Sequence, residues 1–232
     1  MCSHYQSLKE QDRYRRYFGV DPAPQPGRYD VWPGYEGTFM HAHPNAGAPD
    51  DGVPFAETCN GLFGLVPHWA TDTKITKSTY NARSETAAQK PSFREAFVRN
   101  QRCIVPVDAF FEPDWRSGKA VSTRIEARDG APLGIAGLWS SWRSPKGDWV
   151  HSYTMLTINA DDHELMKNYH KPEDEKRMVV ILREEDCDAW LKCPPERSMD
   201  FMRQYPAELL RAVPAPLPPR AKKKPSPPTE LG

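Results

Sequence analysis

Proline stands at 24 of the 232 positions of this chain, and no other feature restricts its fold as much. Each proline fixes φ near about −65° and removes a backbone donor, which closes helix interiors and central sheet positions to it. The chain is therefore cut into short segments. Turns, edge strands and coil are expected in place of a helical bundle.

At this length a single core can bury most of the apolar surface. The expected organisation is one domain over residues 1–213 and a Pro/Lys-rich tail over 214–232. That tail, "PAPLPPRAKKKPSPPTELG", lacks the residues to build a core and reads as disordered. Lys+Arg and Asp+Glu both total 31, so no global charge draws the chain to nucleic acid or membrane. Any polyanion site has to be a local patch. No apolar run reaches membrane-spanning length, and "MCSHYQSLKEQDRYRRYFG" is polar where a secretory leader needs an apolar centre. A cytoplasmic, monomeric protein is expected. The cysteines, at 2, 59, 103, 187 and 193, are odd in number and form no C-x-x-C pair, so neither a disulfide framework nor a zinc knuckle is indicated. Cys59 and Cys103 lie in apolar runs and read as buried small hydrophobes.

Local pattern divides the chain further. A short helix is expected within residues 7–18, and "YDVWPGYEGTFMHA" reads as one strand-like piece. "GLFGLVPHWA" reads as a buried strand ending at Pro67. In "KPSFREAFVRN", Ser92 precedes Glu95 by three residues, which predicts a capped helix with Phe93 and Phe97 on one face. "RCIVPVDAFFEPDW", "AVSTRIEAR", "PLGIAGLWSSWR", "VHSYTMLTINA" and "RMVVIL" read as strands between Gly, Asp and Pro turns, and "EEDCDAWL" as a short helix. Leu165 and Tyr169 stand at helical spacing. The sum is an α+β domain whose core is a mostly antiparallel, curved or barrel-like sheet, connected as a meander, with a few peripheral helices.

The chemistry centres on Cys2. Once Met1 is removed, residue 2 carries a thiol and a free α-amine two carbons apart. Such a pair attacks an aldehyde twice: the amine forms a Schiff base, and the thiolate then closes a five-membered thiazolidine. Alternatively it serves as an amide nucleophile with its own amine as base. Ordinary values of about 8.5 for the thiol and about 7.7–8.0 for the amine leave useful fractions of both reactive forms at neutral pH. Read by themselves, Asn81 suits an Asx turn, Glu112 an ion pair with an arginine, and Trp69 the core. His4, His41, His43, His68, His151 and His163 read as surface or core residues. His41 and His43 alternate on a strand without a third ligand, so no metal site is expected.

Four further stretches stand in order behind Met-Cys: "GLFGLVPHWATD", "YNARSETAAQKPSFREAF", "RCIVPVDAFFEPDW", and "LTINA" followed by "YHKPEDEKRMVVIL". In this order and spacing, over roughly residues 1–192, the chain resembles the SOS response-associated peptidase (SRAP) family. That resemblance implies a DNA-damage protein that binds single-stranded DNA and traps abasic sites as a thiazolidine DNA-protein crosslink, without cofactor. It makes Cys2 the nucleophile. Asn81 would hold the α-amine or a carbonyl, Glu112 would accept from the amine or shuttle a proton, and His170 would transfer protons during Schiff-base formation and sugar-ring opening. It implies a phosphate contact by Arg83, base stacking or wedging by Trp69 and Pro33, and a hydrogen bond near the lesion from Thr157. The alternative within the same resemblance is a thiol peptidase or amidohydrolase, with autocatalytic removal of Met1 as one version.

The chain also departs from the family pattern. Ser3 and His4 replace Gly-Arg, which exchanges a fixed positive charge for a titratable one. Phe63 replaces a tryptophan, Ala109 and Pro113 alter G-F-Y-E-W, and Val179 replaces the proline of R-M-P. "KPEDE" is extra after His170 and bears on how a strand would reach the site.

Overall fold

The structure, a computed structural model, describes residues 2–44 and 53–216. In chain order its elements are β1 (Tyr5–Gln6), α1 (Asp12–Phe18), β2 (Asp30–Val31), β3 (Glu36–Ala42), β4 (Ala56–Phe63), α2 (Thr76–Thr79), β5 (Asn81–Arg83), α3 (Arg94–Val98), β6 (Arg102–Val107), β7 (Ala109–Asp114), β8 (Val121–Ala127), β9 (Leu133–Arg143), β10 (Trp149–Asn159), β11 (Arg177–Val179), β12 (Ile181–Leu182), α4 (Cys187–Lys192) and β13 (Leu210–Pro214). The helices are short, as the proline content requires, and α1 stops at Gly19, whose φ of 63° supplies the left-handed turn.

Strands β3, β4, β10, β9 and β6 pair in a closed ring, which removes the free edges of the central sheet. Four of the five pairings are antiparallel, and β4 runs parallel to β10 with Leu62 opposite Ser152. The α+β, barrel-like core is therefore as expected, but its connection is not a simple meander. A parallel neighbour requires a crossover, and nothing local in the sequence marks one. Phe39, Phe63 and Tyr153 fill the interior with ring centroids 5.1–5.6 Å apart. Every residue of β6 is buried, which explains why that strand is continuously apolar rather than alternating. A second antiparallel sheet, ordered β13-β8-β7-β1-β2, stands beside the barrel.

Several expectations change at this level. "RCIVPVDAFFEPDW" is two strands in two sheets, turned at Asp108, whose carboxylate takes the Lys9 amide at 3.0 Å and pairs with Arg13. "YDVWPGYEGTFMHA" splits into β2 and β3, and "RMVVIL" switches neighbours at Val180, which bonds to Leu156 of β10 and to Ala136 of β9. The strand expected to end at Pro67 lies earlier, as β4. It stops where Gly64, at φ 118°, brings the backbone against Thr76. The capping box at Ser92 does not form: α3 begins after Phe93 with no side-chain cap. The Phe93 and Arg94 amides already bond to Lys90 O, and Glu95 turns to His68 and to Arg99 at 3.0 Å. Leu165 and Tyr169 flank a single 3-10 turn, Met166–Asn168. The last strand reaches Pro214 and Ala215 bonds to Ser122 O at 2.8 Å; residues 217–232 of the expected tail lie outside the described residues.

Candidate active site

Residues 2–4 run beside β7 because β1 pairs with it, Tyr5 opposite Phe110, and the Phe111 amide donates to His4 O at 2.9 Å. This register carries Cys2 to Glu112. The Cys2 thiol is fully buried and donates to His4 O at 3.4 Å. Burial, and then the nearby Glu112 charge, push its pKa up to about 12. With Met1 attached, then, the thiol lies well above the ordinary value of about 8.5 that the sequence reading took for the processed terminus.

Glu112 is 2% exposed on β7, and His170 is 8% exposed. They meet because the chain at 169–170 pairs with the end of β7: Tyr169 bridges Asp114, and the His170 amide donates to Pro113 O at 3.0 Å. His170 holds φ at 67°, a conformation costing a residue with a Cβ roughly 1–2 kcal/mol. Its Nε2 donates to Arg177 O at 3.0 Å, and its Nδ1 lies 3.4 Å from Glu112 Oε2.

Asn81 is buried on β5, which runs parallel to β10 with Asn81 opposite Met155. Its Nδ2 donates to Tyr80 O at 2.9 Å, while its buried Oδ1 has no hydrogen-bond partner among the described residues. Tyr80, which sequence reasoning passed over, stands beside the pair: burial raises its phenol pKa, and Cys2 and Glu112 raise it further. Its only signal was its place immediately before N-A-R.

His4 is sandwiched between Trp32 and Phe111, with both centroids 4.1 Å away, and its Nε2 lies 2.9 Å from Asp30 Oδ1. Burial lowers its pKa, against an opposing pull from Asp30. It is thus a packed ring at the position where the family resemblance expects an arginine. A cavity of about 390 Å³ opens beside this stack, lined by Ser3, His4, Trp32, Phe111, Glu112 and others. A larger cavity, about 850 Å³, lies between α1 and α4 and includes none of the site residues named above.

The residues expected at nucleic acid are placed differently from one another. Arg83, half-exposed, meets Glu175 at 2.5 Å. Trp69 is on the surface, 48% exposed, rather than in the core, with its indole N–H directed to Pro91 O at 3.4 Å. Pro33, half-buried, occupies the turn between β2 and β3, next to the stacked Trp32. Thr157, opposite Arg83 in the sheet register, is buried beneath Arg177, which donates to its carbonyl at 2.7 Å. Arg177 also pairs with Glu85 and Glu175, each at 2.8 Å. None of Arg177, Glu85 and Glu175 was singled out from sequence, because ion-pair partners far apart in the chain leave no local pattern.

The match to the family model described as SOS response associated peptidase (SRAP) spans residues 1–216. The chain is 34% identical over 154 residues to the abasic site processing protein YoqW of Bacillus subtilis, and 26% identical over 171 residues to the abasic site processing protein HMCES of Gallus gallus. These alignments cover 65% and 63% of this chain, but only 65% and 48% of the relatives' own lengths. A crystal structure of a protein from Bordetella bronchiseptica superposes with a TM-score of 0.83 at 46% identity, covering 93% of this chain and all of the other. One from Bacteroides thetaiotaomicron, at 22% identity, shares the fold with a TM-score of 0.73, over 91% and 90% of the two chains. With a family match that runs from the first strand through the last, and with the buried carboxylate and imidazole at the positions the motifs named, this chain belongs to the SRAP family.

Proposed function

We propose that the chain captures abasic sites in single-stranded DNA as a thiazolidine crosslink through Cys2 after Met1 is removed. The observation that carries this reading is the buried Glu112 carboxylate, which acts on the thiol of residue 2 and itself lies 3.4 Å from His170 Nδ1. Removal of Met1 converts the Cys2 amide into an amine and deletes the residue bonded to it. The amine attacks the aldehyde of the open deoxyribose, and the carbinolamine loses water to give an imine. The Glu112–His170 pair donates the proton that leaves with that water. The thiol then adds across the imine: sulfur bonds to carbon, its proton passes to nitrogen, and the ring closes. Asn81 Oδ1 is the buried acceptor left over for the amine.

The same geometry argues against a thiol peptidase that uses His170 as its base. A Cys–His nucleophile needs an imidazole nitrogen facing the sulfur. Here Nε2 is held by Arg177 O and Nδ1 faces Glu112.

The names of the relatives, abasic site processing proteins, agree with the capture reading. Its test is the intact mass of the purified chain before and after mixing with an abasic single-stranded oligonucleotide. The expected product weighs the sum of Met1-free protein and oligonucleotide less one water, survives heating, and is absent for Cys2→Ala. An undiminished adduct with Cys2→Ala removes the mechanism.

A further inference from the structure

Glu175 comes from the extra stretch after His170, and its carboxylate lies on the one arginine of the site that reaches solvent. Oε2 meets Arg83 at 2.5 Å, and Oε1 accepts from Arg177 at 2.8 Å and from Asn159 at 3.2 Å. The Arg177 hydrogen bond is the main reason that its pKa falls to about 2 against the opposing effect of burial; Asn159 and Arg83 lower it further. The loop is fixed rather than loose. The Lys176 amide donates to Asp161 at 2.8 Å, and its ammonium is folded back onto the carbonyls of Lys171, Pro172 and Asp174.

Charges in this cluster balance: Arg83 and Arg177 face Glu85 and Glu175. The Arg177 side chain is 4% exposed, whereas the Arg83 side chain is 50% exposed. A phosphate arriving at Arg83 therefore finds its guanidinium already engaged by a carboxylate of the same chain. The two anions want the same planar donor fork.

We infer that Glu175 sets nucleic-acid affinity at this site by acting as an internal substitute for a backbone phosphate on Arg83. This rests on the single-strand reading above and adds a residue to it. Binding becomes an exchange of one anion for another, which weakens association with undamaged strands. Retention then depends more heavily on the covalent step at Cys2.

The test is a salt titration of full-length protein with oligothymidylate, which has no abasic site. Glu175→Gln keeps the shape of the side chain and leaves Arg177 its bonds to Glu85 and Thr157. It is expected to tighten binding about two- to fivefold, the scale of one exposed ion pair. It also steepens the slope of log affinity against log salt by about 0.7, one phosphate's worth on a single strand. Arg83→Ala in the Glu175→Gln background removes both gains. A purely structural role for Glu175 moves melting temperature but not the slope. Unchanged affinity and slope, with adduct formation on abasic DNA intact, overturn this inference alone. Absence of both oligothymidylate binding and adduct overturns the single-strand reading and this inference together.

Discussion

His170 directs Nδ1 at Glu112 Oε2, 3.4 Å away, because its other nitrogen is committed to Arg177 O at 3.0 Å. A carbonyl only accepts, so Nε2 carries hydrogen. Nδ1 is thereby left as the ring nitrogen that faces the buried carboxylate. The proposed capture mechanism uses this pair at the step where the carbinolamine loses water.

Replacing His170 separates its backbone role from its chemistry. His170→Gly and His170→Ala both lose the imidazole and are expected to slow single-turnover adduct formation by about 10²–10⁴-fold. Glycine adopts φ 67° freely, so His170→Gly should melt higher than His170→Ala, by the order of 1 kcal/mol. Equal melting temperatures would remove the claim that this backbone is costly.

The thiol gives a second prediction. Its pKa of about 12 in the Met1-bearing chain leaves about one thiolate in 10⁵ at pH 7. Alkylation of Cys2 by iodoacetamide, followed by peptide mass spectrometry, should therefore be slow with Met1 retained and climb about tenfold per pH unit through pH 9. A plateau near pH 8.5 in that chain would contradict the burial described here.

Gly64 should not tolerate a side chain. A Cβ there would lie 2.3 Å from the Thr76 backbone, at a φ of 118° that residues with a Cβ rarely adopt. Gly64→Ala is expected to destabilise the fold by at least about 2 kcal/mol in urea unfolding. A loss below the measurement error would mean that β4 can end differently.

Acid stability should report on Glu175. Its pKa is about 2 when folded against an ordinary 4.5, so the folded state binds its proton less readily than the unfolded chain. The stabilisation is present above pH 4.5 and is lost as pH falls toward 2. Glu175→Gln is expected to flatten the fall of melting temperature across that window relative to the unsubstituted chain. Parallel curves would show that the carboxylate is not paired in solution.

What the chain by itself determined is where backbone segments form and which atoms are reactive. Prolines and glycines cut it into short pieces, and continuous apolar runs such as β6 and β9 marked buried strands, because those signals act within a few residues. The motifs likewise named Cys2, Asn81, Glu112 and His170 as a set. Tertiary structure decided everything that depends on pieces far apart in sequence. It closed the barrel through a parallel β4–β10 pair, turned one apolar run into two sheets at Asp108, and buried His4 between two rings. It also brought residues 83, 85, 175 and 177 into one balanced cluster. Pairing between distant strands and the choice of ionic partner follow from packing the whole chain at once, and no local pattern encodes them.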